Sequence, residues 1–185
     1  MTLTDVKKQV LALIEELNPQ STYLTDDPDI QAKIDYVIDQ IQMELARIKK
    51  IPKNIELVVD LEEKSKYTLD DLGLYQINVI RGLKHEIIED TIIFEENGTA
   101  DIYGYELPPL VTEFEPETEG DEYEFILDTE CMEILPYGVA GDLLKSDISA
   151  NYGQIYANRY ESMLQRLDPR FSTGSIYIGG EDYGI

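Results

Sequence analysis

The side chains that could do chemistry in this sequence are mainly carboxylates. Thirty-eight of the 185 residues are Asp or Glu, against a single His and a single Cys. Hard divalent cations prefer several carboxylate oxygens in one loop, but the densest acidic segment, EFEPETEGDEYE, lacks the alternating Asp or Asn and the central glycine of a calcium loop. We therefore expect a solvated acidic surface here, with no bound metal. Its carboxylates are Glu113, Glu115, Glu117, Glu119, Asp121, Glu122 and Glu124.

The two remaining reactive side chains have no recognisable partners. Catalysis or metal binding by the lone His85 would need partners that the sequence does not place beside it, so we expect a histidine at a strand edge. Cys131 lies beside Met132 and Ile134, which predicts a small buried apolar residue. A single cysteine allows neither an intramolecular disulfide nor a Cys-based zinc site. Because no phosphate-binding, nucleophile-elbow or HExxH motif occurs either, we expect no enzyme and no cofactor.

The negative charge is concentrated in the middle of the chain. The net charge is −23, and the sixty residues from His85 to Leu144 contain eighteen Asp and Glu but no Lys or Arg. Such a surface repels nucleic-acid phosphates and anionic membranes. We also find no apolar run long enough to span a membrane and no signal-peptide core, which predicts a soluble protein made in a reducing cytoplasm.

The segments at both ends of the chain have helical periodicity. We predict one helix from about Asp5 to Leu17, with Thr4 as N-cap and Asn18-Pro19 as the stop. A second should run from Pro28 to Lys49, capped by Asp27, with Pro28 in the first helical position. After the middle region, PYGVAGDLLKSD suits a short helix that begins at Pro136, and residues 148–167 suit a longer one.

The middle region has strand and turn signals. Residues 55–61 form a short extended apolar stretch, and YQINVI, EIIEDTIIFEE, TADIYGYEL and EYEFILD are predicted strands. The Asn97-Gly98 pair predicts a hairpin, because a type I′ turn needs positive φ at both central positions. Together these signals predict an antiparallel unit of five or six strands.

These elements predict an α+β protein. We expect a helical bundle of two N-terminal and two C-terminal helices, with an inserted acidic antiparallel β unit and an extended C-terminal tail. The predicted boundaries are 1–52 for the N-terminal hairpin, 53–131 for the β unit, 132–170 for the C-terminal helices and 171–185 for the tail.

The C-terminal tail is rich in glycine but carries apolar side chains. An extended segment of this kind can pair with an exposed sheet edge on another subunit, whereas the alternative is an ordinary frayed terminus. We favour the interaction strand, and the residues that would make the contact are Phe171, Ser175, Ile176, Tyr177, Ile178 and Tyr183.

The stretch from Met132 to Phe171 resembles the C-terminal helices of head–tail connector proteins (portal adaptor or head completion proteins) of long-tailed bacteriophages. Two motifs carry the resemblance. The first is P-Y-x-V-A-x-x-L-L, which begins here at Pro136 and Tyr137. The second is the Tyr-rich YxxRYExML motif, which includes Tyr156, Arg159 and Tyr160. The long acidic β insertion departs from the shortest members of that family.

The resemblance implies a structural role without turnover. It implies a homo-oligomeric ring, often a dodecamer, that lies in the virion neck between the portal protein and the next neck or tail protein. DNA would pass through the ring without specific binding, and the tail would clamp the portal or a neighbouring subunit. The protein would be made in the cytoplasm of the host bacterium.

Three other functions remain open from the sequence. The chain could be another virion component, such as a tail-completion or head-decoration protein. It could be an acidic DNA mimic that occupies a basic host protein, with strongly salt-dependent binding. The third is a metal-dependent enzyme, which would lose activity when the carboxylates from Glu113 to Glu124 are changed.

Overall fold

A computed structural model describes residues 1–116, 122–146 and 150–167. Within these residues the protein has four α-helices and two three-stranded antiparallel sheets, which confirms the α+β class. The helices are α1 (Leu3–Leu13), α2 (Pro28–Lys49), α3 (Thr129–Leu143) and α4 (Ala150–Leu167). The strands are β1 (Pro52–Val59), β2 (Lys66–Thr68), β3 (Gln76–Arg81), β4 (His85–Ile88), β5 (Thr91–Phe94) and β6 (Gly98–Tyr105).

Helix α1 begins two residues before the predicted start. Its N-cap is Thr2 rather than Thr4. The N–H of Asp5 donates to Thr2 Oγ1 at 3.2 Å, and the N–H of Thr2 donates to Asp5 Oδ2 at 3.1 Å. This reciprocal capping box satisfies two backbone donors at once. The backbone hydrogen bond from Thr2 also holds the pKa of Asp5 below its usual value.

The same helix ends at Leu13, four residues before the predicted Leu17. Glu15 adopts a left-handed conformation with φ 62°, and the N–H of Glu16 donates to the carbonyl of Leu11 at 2.9 Å. These contacts form a Schellman motif, which terminates a helix by satisfying its last carbonyls. The prediction missed this end because glycine, the usual signal for the motif, is replaced by a glutamate.

Helix α2 confirms the predicted bounds and cap. Asp27 Oδ1 accepts hydrogen bonds from the N–H groups of Asp29, at 2.8 Å, and Ile30, at 3.2 Å. Pro28 occupies the first turn, where its missing N–H costs nothing. The buried apolar face of the helix consists of Ile34, Ile38, Ile41, Leu45 and Ala46.

Helix α3 corrects the predicted short helix at Pro136. Asp128 caps it by accepting the N–H of Cys131 at 2.9 Å, so the helix begins at Thr129 and Pro136 lies in its interior. An interior proline costs about 3 kcal/mol because it lacks an N–H and crowds the preceding turn. Burial of nine of the fifteen helix residues outweighs that cost. The helix packs against α1, α2 and α4.

The predicted strand EYEFILD is wrong for the described residues 122–128. They form no strand, although burial alternates along them. Tyr123 and Leu127 are buried in the core of the four helices and Phe125 packs against that core, while Glu122 and Glu124 are exposed. The period-two pattern therefore reflects packing on helices rather than pairing with a strand.

The two sheets have the strand orders β1-β6-β3 and β2-β5-β4. The predicted hairpin at Asn97-Gly98 is wrong, because β5 and β6 belong to different sheets. Asn97 Oδ1 instead accepts the N–H of Leu61 at 2.7 Å. The stretch EIIEDTIIFEE, predicted as one strand, folds into the β4–β5 hairpin, with Glu89 at φ 54° in its turn.

The buried residues form two hydrophobic cores. One lies among the four helices and also includes Val111, Tyr123 and Leu127. The other lies between the two sheets, around Ile92 and Ile102. The segment around Val111 therefore packs with the helices. The predicted boundaries between the four regions of the chain, at residues 52, 131 and 170, stay predictions. Among the described residues, no helix is long and apolar enough to cross a membrane.

Candidate functional site

The acidic segment is fastened to α2 by a buried carboxylate. Asp39, which is 6% exposed, lies on the inner face of that helix. Its Oδ1 accepts the N–H of Val111 at 2.6 Å, and its Oδ2 accepts the N–H and hydroxyl of Thr112 at 3.1 and 2.7 Å. Because three donors immediately before the acidic segment meet one carboxylate, the start of that segment is held against α2.

A second contact lies one helical turn further along α2. The buried Gln42 donates to Asp39 Oδ1 at 2.8 Å and to the carbonyl of Pro109 at 3.0 Å. The Tyr123 hydroxyl lies 3.0 Å from Gln42 Oε1 and 2.5 Å from the carbonyl of Pro109. Burial raises the pKa of Tyr123 to about 12, so its phenol remains a neutral donor. Both sides of the acidic segment are thus attached to the same helix.

The charged side chains of the segment point outward. Glu113, Glu115, Glu122 and Glu124 are all exposed, as the sequence predicted for a solvated acidic surface. Phe114, between Glu113 and Glu115, is 38% exposed, and Ile126, just before the buried Leu127, is 37% exposed. The remaining predicted members, Glu117, Glu119 and Asp121, lie outside the described residues. Across the described ranges, no three His, Cys, Asp or Glu side chains are placed to hold a metal ion.

The motif residues that carry the family resemblance are brought together by α4. Its Arg159 guanidinium lies over the ring of Tyr137 in α3, 4.9 Å from the centroid. The Tyr160 hydroxyl donates to Glu44 Oε2 in α2 at 2.8 Å. The Tyr156 hydroxyl donates to the carbonyl of Leu13 at the end of α1, at 2.5 Å.

Three motif side chains of α4 therefore reach three different helices. Burial, and then the carboxylate of Glu44, raise the pKa of Tyr160, which keeps its hydroxyl protonated. Pro136 is buried inside α3 and contributes no polar contact. The motif residues therefore connect the four helices to one another.

The lone histidine, His85, contacts a backbone carbonyl and an aromatic ring. Its Nδ1 lies 2.9 Å from the carbonyl of Leu83, so this nitrogen carries the proton that is donated. The imidazole packs near Phe94, with ring centroids 6.2 Å apart. His85 occupies the first position of β4, as the sequence predicted for a strand-edge histidine.

The lone cysteine confirms the prediction of a buried apolar residue. Cys131 is fully buried, and burial followed by the nearby carboxylate of Asp128 raises the pKa of its thiol to about 12. We expect the native protein not to react with a disulfide reagent at about pH 8, and to react rapidly once denatured, because the attacking species is the thiolate. Absorbance of the released thiol measures the rate; fast labelling of the native protein would show that the site opens.

The same pKa shift has a consequence for stability. The unfolded thiol ionises near pH 9 and the folded thiol only near pH 12. The unfolded state therefore loses its proton first, so the contribution of Cys131 is fully present below pH 9 and falls as the pH rises from 9 to 12.

The sequence interpretation missed two features. It gave no role to Asp39 and Gln42, which interrupt the buried apolar side of α2 formed by Ile34, Ile38 and Ile41. Polar residues at that position are a recognisable signal for a buried hydrogen-bond partner. It also missed a groove at one end of the helices. The tail residues Phe171, Ser175, Ile176, Tyr177, Ile178 and Tyr183 lie outside the described residues.

Comparison with known proteins gives no family assignment. No protein-family model and no curated protein matches the chain.

Proposed function

We propose that this protein is a structural subunit of the bacteriophage neck, where it forms a ring that connects the portal to the tail and continues the DNA channel. The observation that carries the proposal is the arrangement of the motif residues. The resemblance rests on α3 and α4. The side chains of Tyr156, Arg159 and Tyr160 connect α4 to α1, α3 and α2, respectively. The residues that carry the resemblance therefore make contacts between all four helices.

In this proposal the four helices act as a bundle that carries the contacts of the ring, and the acidic β unit is an insertion. Exposed carboxylates such as Glu113 and Glu124 would keep DNA from adhering if they face the channel, because like charges repel. Asp39 and Gln42 support the proposal by holding this surface in one position.

The proposed location is the virion neck, with the protein made in the cytoplasm of the host bacterium. The partners are the portal protein, the next neck or tail protein and further copies of this chain, with a dodecamer as the assembled ring. The subunit would use packing and electrostatics and catalyse no reaction. Residues 171–185 would clamp the portal or a neighbouring subunit.

The test is light scattering coupled to size exclusion, with the protein alone and mixed with portal rings encoded by the same genome. We expect a ring, or co-elution with the portal. A chain that lacks residues 172–185 should keep its helical circular dichroism signal but bind the portal more weakly. Undiminished binding by the truncated chain would contradict the clamp.

A protein that stays monomeric and does not co-elute with the portal would contradict the connector role. The exposed carboxylates then favour the acidic modulator as the second candidate. Such a modulator would bind a basic protein, and its affinity would fall steeply between about 50 and 300 mM salt, where the Debye length shortens. A connector held by buried contacts would lose much less affinity over the same range.

A further inference from the structure

A groove of about 460 Å³ opens at one end of the four helices. Its walls are the carboxyl ends of α1 and α3, the first turn of α2 and the amino-terminal half of α4. The apolar part of the lining includes Leu13, Ile30 and Leu143. None of the motif contacts described above fills this space, although the Tyr156 hydroxyl seals one edge by donating to the carbonyl of Leu13.

The residues that line the groove carry net negative charge. Four of them are acidic, Glu15, Glu16, Asp27 and Asp29, against one basic residue, Lys33. Two helix carboxyl ends and two helix amino ends meet at the groove, so their partial charges largely offset one another and the acidic side chains set its sign. Lys145, which follows α3, is already paired with Asp142.

Helix α4 exposes two large side chains at or next to the groove. Tyr152, which also lines the groove, is 64% exposed, and Ile155 is 59% exposed. They lie three residues apart on one helix and therefore share a face. Together with the apolar lining of the groove they would enlarge the apolar area available to a partner.

We propose that this groove binds a segment of a neighbouring protein that presents Lys or Arg side chains next to large apolar ones. The aliphatic stem of such a cation packs on the apolar floor while its charged end reaches the carboxylates. A guanidinium would also stack on the rings of Tyr152 and Tyr156. The groove itself is independent of the connector role, and only the identity of the neighbour, another protein of the neck, rests on the proposed function.

The charge pattern selects this occupant over a second copy of the chain or its own tail. Both alternatives would bring net negative charge to a groove whose lining is itself net negative, because the chain carries −23 and residues 168–185 contain three acids and one arginine. Charge complementarity favours a cationic partner and would suppress these acidic ones.

The probe is the acetylated and amidated hexapeptide LKYRLK, with the sequence LEYELE as its acidic counterpart. Titration into the isotopically labelled protein, followed by nuclear magnetic resonance, should shift signals of groove residues such as Leu13, Leu143 and Tyr152. For so short a peptide we expect a dissociation constant of about 1 mM. The acidic peptide should cause no such shifts.

Two charge-matched variants localise the effect. Glu16→Lys with Asp29→Lys should weaken binding at least about tenfold, because two attractive charges become repulsive. Glu62→Lys with Glu63→Lys changes the net charge equally on the exposed turn after β1 and should leave binding unchanged. If the first variant fails to fold, Glu16→Gln with Asp29→Asn should weaken binding severalfold.

Each of the following results would overturn the proposal. The first is equal loss of peptide binding in the two lysine variants or, equivalently, peptide-induced shifts confined to the acidic segment, since either would place the peptide outside the groove. The second is stronger peptide binding after deletion of residues 172–185, which would assign the groove to the chain's own tail. The third is concentration-dependent shifts of the groove without peptide, which would assign it to a second copy. Peptide binding by a protein that ignores the portal would refute the connector role and leave the groove assignment standing.

Discussion

Replacing Asp39 with alanine is expected to lower the free energy of unfolding by about 3 kcal/mol or more. The carboxylate accepts the N–H groups of Val111 and Thr112, the Thr112 hydroxyl and the Gln42 amide. Its removal leaves the buried donors of Val111 and Gln42 without this acceptor, and each unsatisfied buried donor costs about 1–3 kcal/mol. The donors of Thr112 are only partly buried, so water can replace the carboxylate there. Water that enters the cavity would recover part of this loss.

Urea denaturation measures the change, and Asp35→Ala supplies a matched control on the same helix. Asp35 forms an ion pair with Lys7 at 2.7 Å, but its side chain is 35% exposed. A partly exposed pair of this kind contributes about 1 kcal/mol or less. Equal losses of unfolding free energy in the two variants would show that the buried hydrogen bonds of Asp39 contribute no more than the partly exposed ion pair of Asp35.

The Asp39 variant should also free the acidic segment before the rest of the protein unfolds. We expect faster proteolysis between residues 107 and 127, because this segment is joined to the helices through Asp39 and Gln42. Mass spectrometry of the first fragments would locate the cut. A first cut in the β sheets instead would mean that the segment is held mainly by the apolar contacts of Val111, Tyr123 and Leu127.

Replacing Gly138 with valine is expected to cost about 3 kcal/mol or more through overpacking. A β-carbon at this position would lie 2.8 Å from Ile41 Cγ2 and 2.8 Å from Tyr160 Cε2, well inside van der Waals contact. Both neighbours are almost fully buried, and Tyr160 can move only by giving up its hydrogen bond to Glu44. The substitution therefore separates α3 from both α2 and α4.

Thermal and urea denaturation of the Gly138→Val variant test this expectation. Valine has a higher helix propensity than the glycine it replaces, so helix propensity would not account for a loss at this position. Ala32→Val, on an exposed position of α2, is the unpacked control and should cost only about 0.5 kcal/mol. Shortening the neighbour should recover part of the loss, so Gly138→Val with Tyr160→Leu should be less destabilised than the two single changes together. Wild-type stability of the single valine variant would show that the helix junction is loosely packed.

The sequence by itself determined the features that depend on neighbouring residues. The bounds of α2 follow from Asp27, Pro28 and the apolar stripe, because capping and helix periodicity act within a few residues. The buried state of Cys131 and the exposure of Glu113 and Glu124 also follow from the residues around them. The α+β class required only the change of hydrophobic period along the chain.

Several local signals were present but did not decide the structure. Asn97-Gly98 is a hairpin signal, yet β5 and β6 pair with other strands. Pro136 is a helix-start signal, yet burial on the other helices carries α3 back to Thr129. In both cases tertiary packing supplies more free energy than the local preference, which is worth only a few kcal/mol.

Only the tertiary structure decided where the acidic segment lies and what the polar residues of α2 bind. Asp39 meets Val111 across 72 residues of chain, and Tyr123 meets Gln42 across 81. The groove likewise needs the ends of all four helices to converge. A spacing pattern describes residues a few positions apart, whereas these partners become neighbours only when the whole core packs, which is the physical reason that the sequence alone did not reveal them.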